Sequence, residues 1–290
     1  MTSTKQRGGR ACRQHDFDTW AELREFFEDD LNPAYMLFRG QFDSDWGLCT
    51  SLDRLLQTLP DGFRTEKVVA LHLQRFIKAA RGRRLGRIGS EMSQAEWWSL
   101  GQHYGLATPL LDWTESAYIA TYFAFASPNS APSGRRAIWA IVPNAIEVAS
   151  AEIRNVYPDL PQGNNQFIET SRLPIVDFID PTSDDNPRLI NQAGTFTRAP
   201  ILWNLENWVE HFAEYFRFPV LLKLTVSDDA RHDVLRALQK MNIHSQSLFP
   251  DVSGASSYCN EMLSLQAETV TIYSEAFRLL EEMEKTEPAL

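Results

Sequence analysis

The sequence predicts an α+β fold: a mixed β-sheet core with a helical insertion after its first strand and helices at the C-terminal end. Three observations carry this. Short apolar runs at Tyr35–Phe38, Leu110–Trp113, Ala137–Val142 and Phe218–Val226 read as strands, the last with Val220, Leu222, Leu224 and Val226 on one face and Leu221 on the other. Between and after them, apolar residues recur at helical spacing. With 290 residues, 43% of them hydrophobic and including eight Trp and seventeen Phe, the chain can bury a sizeable core.

Residues 1–15 read as a flexible polar tail. Asp16 or Asp18 is placed to cap a helix carrying Trp20, Leu23, Phe26 and Phe27, and Asn32-Pro33 ends it, because proline lacks the amide that another turn needs. After Tyr35–Phe38, helical periods around Leu52, Leu55 and Leu56 and from Thr65 to Ala79 form the insertion, over about residues 50–100. Ser93 and Glu96 have capping-box spacing for a helix to Tyr104, and Gly105 supplies the left-handed residue beyond its end. Thr114-Glu115-Ser116 can cap the apolar helix Ala117–Ala126. Asp228 or Asp229 caps Val234–Met241, and Leu263–Leu280 is a long amphipathic helix. Asn155–Asn165 and Asp180–Pro187 read as loops too short to be domain linkers. One domain over 16–265, followed by a C-terminal helix over 266–290, is the expected organisation.

Composition narrows the function classes. The longest apolar stretch, Tyr118–Ala126, is interrupted by Thr121 and falls far short of the roughly 20 residues that cross a bilayer. The N-terminus has no apolar signal core, and three scattered cysteines suggest neither a disulfide framework nor a CxxC metal site. A cytoplasmic protein with no metal and no membrane span is expected. The net charge of -10 opposes indiscriminate nucleic-acid binding. Against that background, Arg75, Lys78, Arg81, Arg83, Arg84 and Arg87 make a basic run with no acidic residue until Glu91. It is either a solvated helix end or a place for a phosphate-bearing partner, such as a protein or nucleic-acid acceptor.

Four blocks carry chemistry. YMLFRGQFDSDWGLCTSLDR contains Phe38-Arg39-Gly40-Gln41; GQHYGLATPLLDWTESAYIATYFAFA runs from Gly101 to Ala126; RLINQAGTFT runs from Arg188 to Thr197; and Ser247-Leu248-Phe249-Pro250-Asp251 is followed by Gly254. In content and order these resemble the FRG domain family, over about four-fifths of the chain. One departure is Ala107-Thr108-Pro109, where the family commonly has Pro-Thr-Arg. The blocks are in turn similar to those of the ADP-ribosyltransferase superfamily, which implies a sheet core of that type with NAD as substrate. The same resemblance implies a bacterial or phage-related setting such as a toxin or defence effector.

Residue types fit that implication. A guanidinium is a planar fork of donors that stays charged, which suits Arg39 to a phosphate; the alternative is a pairing with Asp112 that pins two strands together. Gly40 would let backbone approach a ligand closely, and Gln41 can donate and accept on the same rim. Thr114 and Ser116 flank a helix entry whose first amides attract anions, or simply cap it. Of Tyr122 and Phe123 inside that helix, one faces core and one can stack on a planar ring. Tyr122 is the candidate for stacking. His103, in the last turn of its helix, is either a structural histidine or a substrate hydrogen-bonding group. Gln192 is placed to bond a ribose hydroxyl as the glycosidic bond breaks, although an amide is no base; Glu169, Asp177 or Glu206 would have to supply an acid.

The expected catalytic set is thus Arg39, Gln192 and Thr114. The rival reading is a non-catalytic module that holds a nucleotide or peptide in the same cleft.

Overall fold

The computed structural model describes residues 9–31, 35–81, 83, 92–156, 174–179 and 192–286. Expectations for Asn32-Pro33, Glu169, Arg84, Arg87, the 157–165 and 180–187 segments and the 188–191 part of the third block lie outside them.

Among the described residues the fold is α+β, with ten α-helices around one seven-stranded mixed sheet. Its strands are β1 (Cys12–Phe17), β2 (Leu37–Gln41), β3 (Leu111–Thr114), β4 (Arg135–Ile141), β5 (Asp177–Ile179), β6 (Gly194–Arg198) and β7 (Leu221–Ser227). They lie in the order β1-β7-β4-β2-β3-β6-β5, and only β1 and β7 run parallel. The expected strands all form.

The tail expected over residues 1–15 gives way at Cys12, where β1 begins. Its burial alternates as a half-buried strand's does, with His15 and Phe17 inward, and β7 offers it a free edge. Asp16 is therefore a strand residue accepting from the Thr225 hydroxyl at 2.8 Å, not a helix cap. Thr19 caps α1 (Trp20–Asp29) instead, in a reciprocal box with Glu22.

The insertion consists of α2 (Ser51–Gln57), α3 (Glu66–Ala80) and α4 (Gln94–His103), joining β2 to β3. Ser93 and Glu96 form the expected capping box, and Gly105 has the positive φ of +84°. These helices bury their own cluster, Leu52, Leu56, Leu73 and Trp98, against Leu110 and Phe196 from the sheet. The sheet is covered on both faces. On one, Phe38, Ile138, Leu224 and Val226 meet α1, α5 (Ala117–Phe125) and α8 (Arg231–Lys240). On the other, Trp113, Trp139, Ile141 and Leu221 meet α6 (Pro143–Val156) and α7 (Leu205–His211).

Asp228 does not cap α8. It lies in a 3-10 turn, and its carboxylate is taken by Arg136, a strand guanidinium with no exposed surface. The short α9 (Ser245–Leu248) then leads into α10 (Val252–Thr286), longer at both ends than the periodicity of 263–280 implied. No helix among the described residues is long and apolar enough to cross a membrane.

Candidate functional site

The site begins with an interrupted ladder. β2 pairs with β4 at five positions and β3 pairs with β6 at four, but β2 and β3 meet only where Phe38 faces Thr114. Beyond that rung the two central strands bond outward rather than to each other. A cavity of about 850 Å³ opens along this seam, lined by Phe38–Gln41 from one strand, Phe42 just beyond it, and Asp112–Thr114 from the other. The insertion contributes Arg54, Gln57, Ser99, Gln102 and His103 to it, and the chain beyond β5 contributes Gln192, Thr195, Asn204 and Phe249.

Arg39 spans the seam. Its Nη1 donates to the Asp112 carbonyl at 2.8 Å and lies 3.4 Å from the Asp112 carboxylate. The pairing with Asp112 weighed from sequence is thus present, but it is not a sealed strut. The Arg39 side chain keeps 20% exposure, Asp112 keeps 62%, and the buried Nε of Arg39 has no hydrogen-bond partner. A buried donor of that kind is costly to leave unmet, so a ligand acceptor reaching it gains more than at a solvated arginine.

Asp112 is held from a second side. Gln102 donates from Nε2 to its Oδ1, while the Gln102 carbonyl accepts from the hydroxyl of fully buried Thr108. Because an ionised carboxylate only accepts, the amide's NH₂ must face Asp112, which leaves its carbonyl to accept from the Thr108 hydroxyl. Among the described lining residues Asp112 is the single acid.

Arg39, Thr114 and Gln192 all line this cavity. Thr114 is 4% exposed, and its hydroxyl accepts from the Ser116 amide at 3.2 Å. Ser116 in turn accepts from the Ile119 amide at 3.3 Å, which makes it the N-cap of α5; it does not line the cavity. Gln192 sits before β6, next to Ala193 with φ of 45°, and its amide donates to the Leu248 carbonyl at 3.3 Å. His103 is exposed on the rim, edge-on to Tyr104.

Three expected contact residues have other employment. A Cβ on Gly40 would stand 1.9 Å from the Ala120 carbonyl oxygen and 2.6 Å from the Ala124 nitrogen. Glycine is needed here because α5, through its small residues, lies directly on β2; the residue also lines the cavity. Gln41 is 7% exposed with both amide ends used: Trp139 donates to it at 2.7 Å, and it donates to the Gly47 carbonyl at 3.0 Å. Tyr122 points into the core, 2% exposed, donating its hydroxyl to Glu261, and burial pushes its pKa up. Helical geometry turns its neighbour the other way, so Phe123 is the ring that lines the cavity, edge-on to Phe249 at 6.1 Å.

Two of the acids that the sequence offers, both among the described residues, are engaged elsewhere. Glu206 accepts from the Leu48 amide at 2.9 Å, and Asp177 pairs with Arg154 at 3.0 Å. The cavity residues that sequence reasoning missed include Asp112 as an acid, the half-exposed Trp46, Arg54 and Asn204. For Asp112 the signal was available: between inward Leu111 and Trp113, strand alternation turns it to the opposite side. For the others the neighbours come from distant elements.

In the basic run, Arg75, Lys78, Arg81 and Arg83 are exposed along and just past the end of α3.

No curated protein and no solved structure matches this chain. A family model does match, over residues 34–132, a span that holds β2, the insertion, β3 and α5 and thus the seam with Arg39, Gln102 and Asp112. That model is the FRG domain's, so the seam lies in the part of the chain that is similar to it.

Proposed function

We propose that the FRG domain uses the seam cavity to bind NAD or a related nucleotide, and that the chain cleaves or transfers it as ADP-ribosyltransferase-like enzymes do. The observation that carries the reading is the convergence in one cavity of two guanidiniums, Arg39 and Arg54, with exposed or part-exposed rings at Trp46, Phe123 and Phe249. Guanidiniums match a pyrophosphate, and aromatic faces match nucleobase or nicotinamide rings. The cavity volume of about 850 Å³ is in the range of cofactor sites. The exposed cations along α3 are where a macromolecular acceptor would dock, in a toxin or phage-defence role.

Titrating NAD into the protein by calorimetry tests this. Loss of a charged hydrogen bond costs about 1.5 to 3 kcal/mol, so Arg39→Ala and Arg54→Ala should each weaken binding by roughly ten- to a hundredfold. No heat of binding with NAD, ADP-ribose or ATP would refute the reading.

One observation favours a non-catalytic recognition module: the Gln192 amide is bonded to the Leu248 carbonyl and cannot act as a base. In that case the same ligand binds without release of nicotinamide.

A further inference from the structure

Resting on the nucleotide reading above, we infer that Asp112 is the carboxylate that attends the reacting ribose, with Gln102 as its positioning residue. The geometry meets three requirements at once. Asp112 is the single acid among the described residues lining the cavity, and its side chain is 62% exposed, so a ligand can reach it. Its orientation is fixed from both ends, by Arg39 at one oxygen and the Thr108–Gln102 chain at the other. It also sits beside the phosphate-matching Arg39, so a ligand whose phosphates engage the guanidinium brings its ribose to the carboxylate.

The bond between ribose C1′ and the nicotinamide nitrogen breaks, and its electron pair goes to the ring, which leaves as neutral nicotinamide. The cationic C1′ that remains is stabilised by the negative charge of Asp112, which also accepts the hydrogen bond of a ribose hydroxyl more strongly as positive charge develops. Water or an acceptor hydroxyl then bonds to C1′, and its proton passes to the Asp112 carboxylate and on to solvent. An amide at this place keeps the shape and loses the charge. Gln192 has that limitation; Asp112 does not.

The test compares nicotinamide release and ADP-ribose binding for the full chain, Asp112→Asn, Asp112→Glu and Gln102→Ala. Expected are an Asp112→Asn protein that binds ADP-ribose within about threefold of wild type, yet releases nicotinamide about a hundredfold more slowly. Asp112→Glu should recover part of the rate. Gln102→Ala should lower kcat about tenfold with KM little changed, and add nothing in the double variant with Asp112→Asn. Turnover retained in Asp112→Asn overturns the inference alone. Loss of ADP-ribose binding in Asp112→Asn as severe as in Arg39→Ala also overturns it, since Asp112 would then be a strut for Arg39. Binding by wild type without nicotinamide release overturns the inference and leaves the nucleotide site standing, whereas no binding at all overturns both.

Discussion

Replacing Gly40 by alanine is the sharpest test of how the motif works. The added carbon would stand 1.9 Å from the Ala120 carbonyl oxygen and 2.6 Å from the Ala124 nitrogen, both backbone atoms of α5. Comfortable contact needs roughly 3.5 Å, so the helix must shift by more than an ångström at that point. Side chains cannot give way, because none is involved. The shift would disturb Ala120, Ala124 and Phe125, each without exposed surface. Overpacking of this severity costs about 3 kcal/mol, which in a chain of this size lowers the melting temperature by roughly 5 °C. Urea unfolding followed by tryptophan fluorescence measures the loss directly. A Gly40→Ala protein with an unchanged midpoint would refute the close approach of α5 to β2, and with it the structural account of this glycine.

Other expectations rest on separate features. Arg136 is fully buried, donates to Asp228 and to the carbonyls of Ala124, Ser127 and Asn129, and lies over the rings of Phe42 and Phe125. Arg136→Ala should therefore cost about 3 to 5 kcal/mol in urea midpoint analysis, and lysine, with no planar fork, should restore only part of it. Burial holds the pKa of His15 below its ordinary 6.5, with Arg13 acting the same way. Its folded value lies under its unfolded one, so its contribution is complete above pH 6.5 and is lost as pH falls through the lower folded value. His15→Phe should flatten the fall in stability between about pH 7 and pH 5; an unchanged slope would count against it. Burial raises the thiol pKa of both Cys12 and Cys49, while Cys259 is exposed. A thiol reagent at neutral pH should label Cys259 in the native protein and the other two only after unfolding, as read by mass spectrometry.

Helices α3 and α4 and the central strands are legible because their apolar periods are unambiguous: the helices lie where Val69, Leu73 and Trp98 recur on one face, and β4 where Ala137–Ile141 runs apolar, whereas α6 is not read from sequence and its end at Asn155–Val156 reads as loop. β1 was hidden because its alternation is short and half polar, and only the edge of β7 gives it meaning. The caps went wrong where two acids were equally placed. Asp16 and Asp228 are bound to Thr225 and Arg136, partners far away in sequence. At the site, Arg39, Thr114 and Gln192 were identified and do share a cavity, but the roles of neighbours depended on packing. Whether Tyr122 or Phe123 faces the cavity is decided by the rotation of α5 on β2, and that rotation is fixed by the contact at Gly40. From sequence Asp112 reads only as a counter-ion, because its second partner, Gln102, reaches it through the insertion.

The single Phe38–Thr114 rung has a thermodynamic consequence. Two half-sheets, β1-β7-β4-β2 and β3-β6-β5, are clasped in the middle by one rung and one arginine. A molecule seated across that junction touches both halves, so its affinity is added to the cohesion of the whole sheet. At a concentration a hundred times its Kd, that addition is about 2.7 kcal/mol, enough to raise the melting temperature by several degrees. Melting the protein against a panel of nucleotides, sugars and peptides therefore ranks any that bind there by how firmly they join the halves.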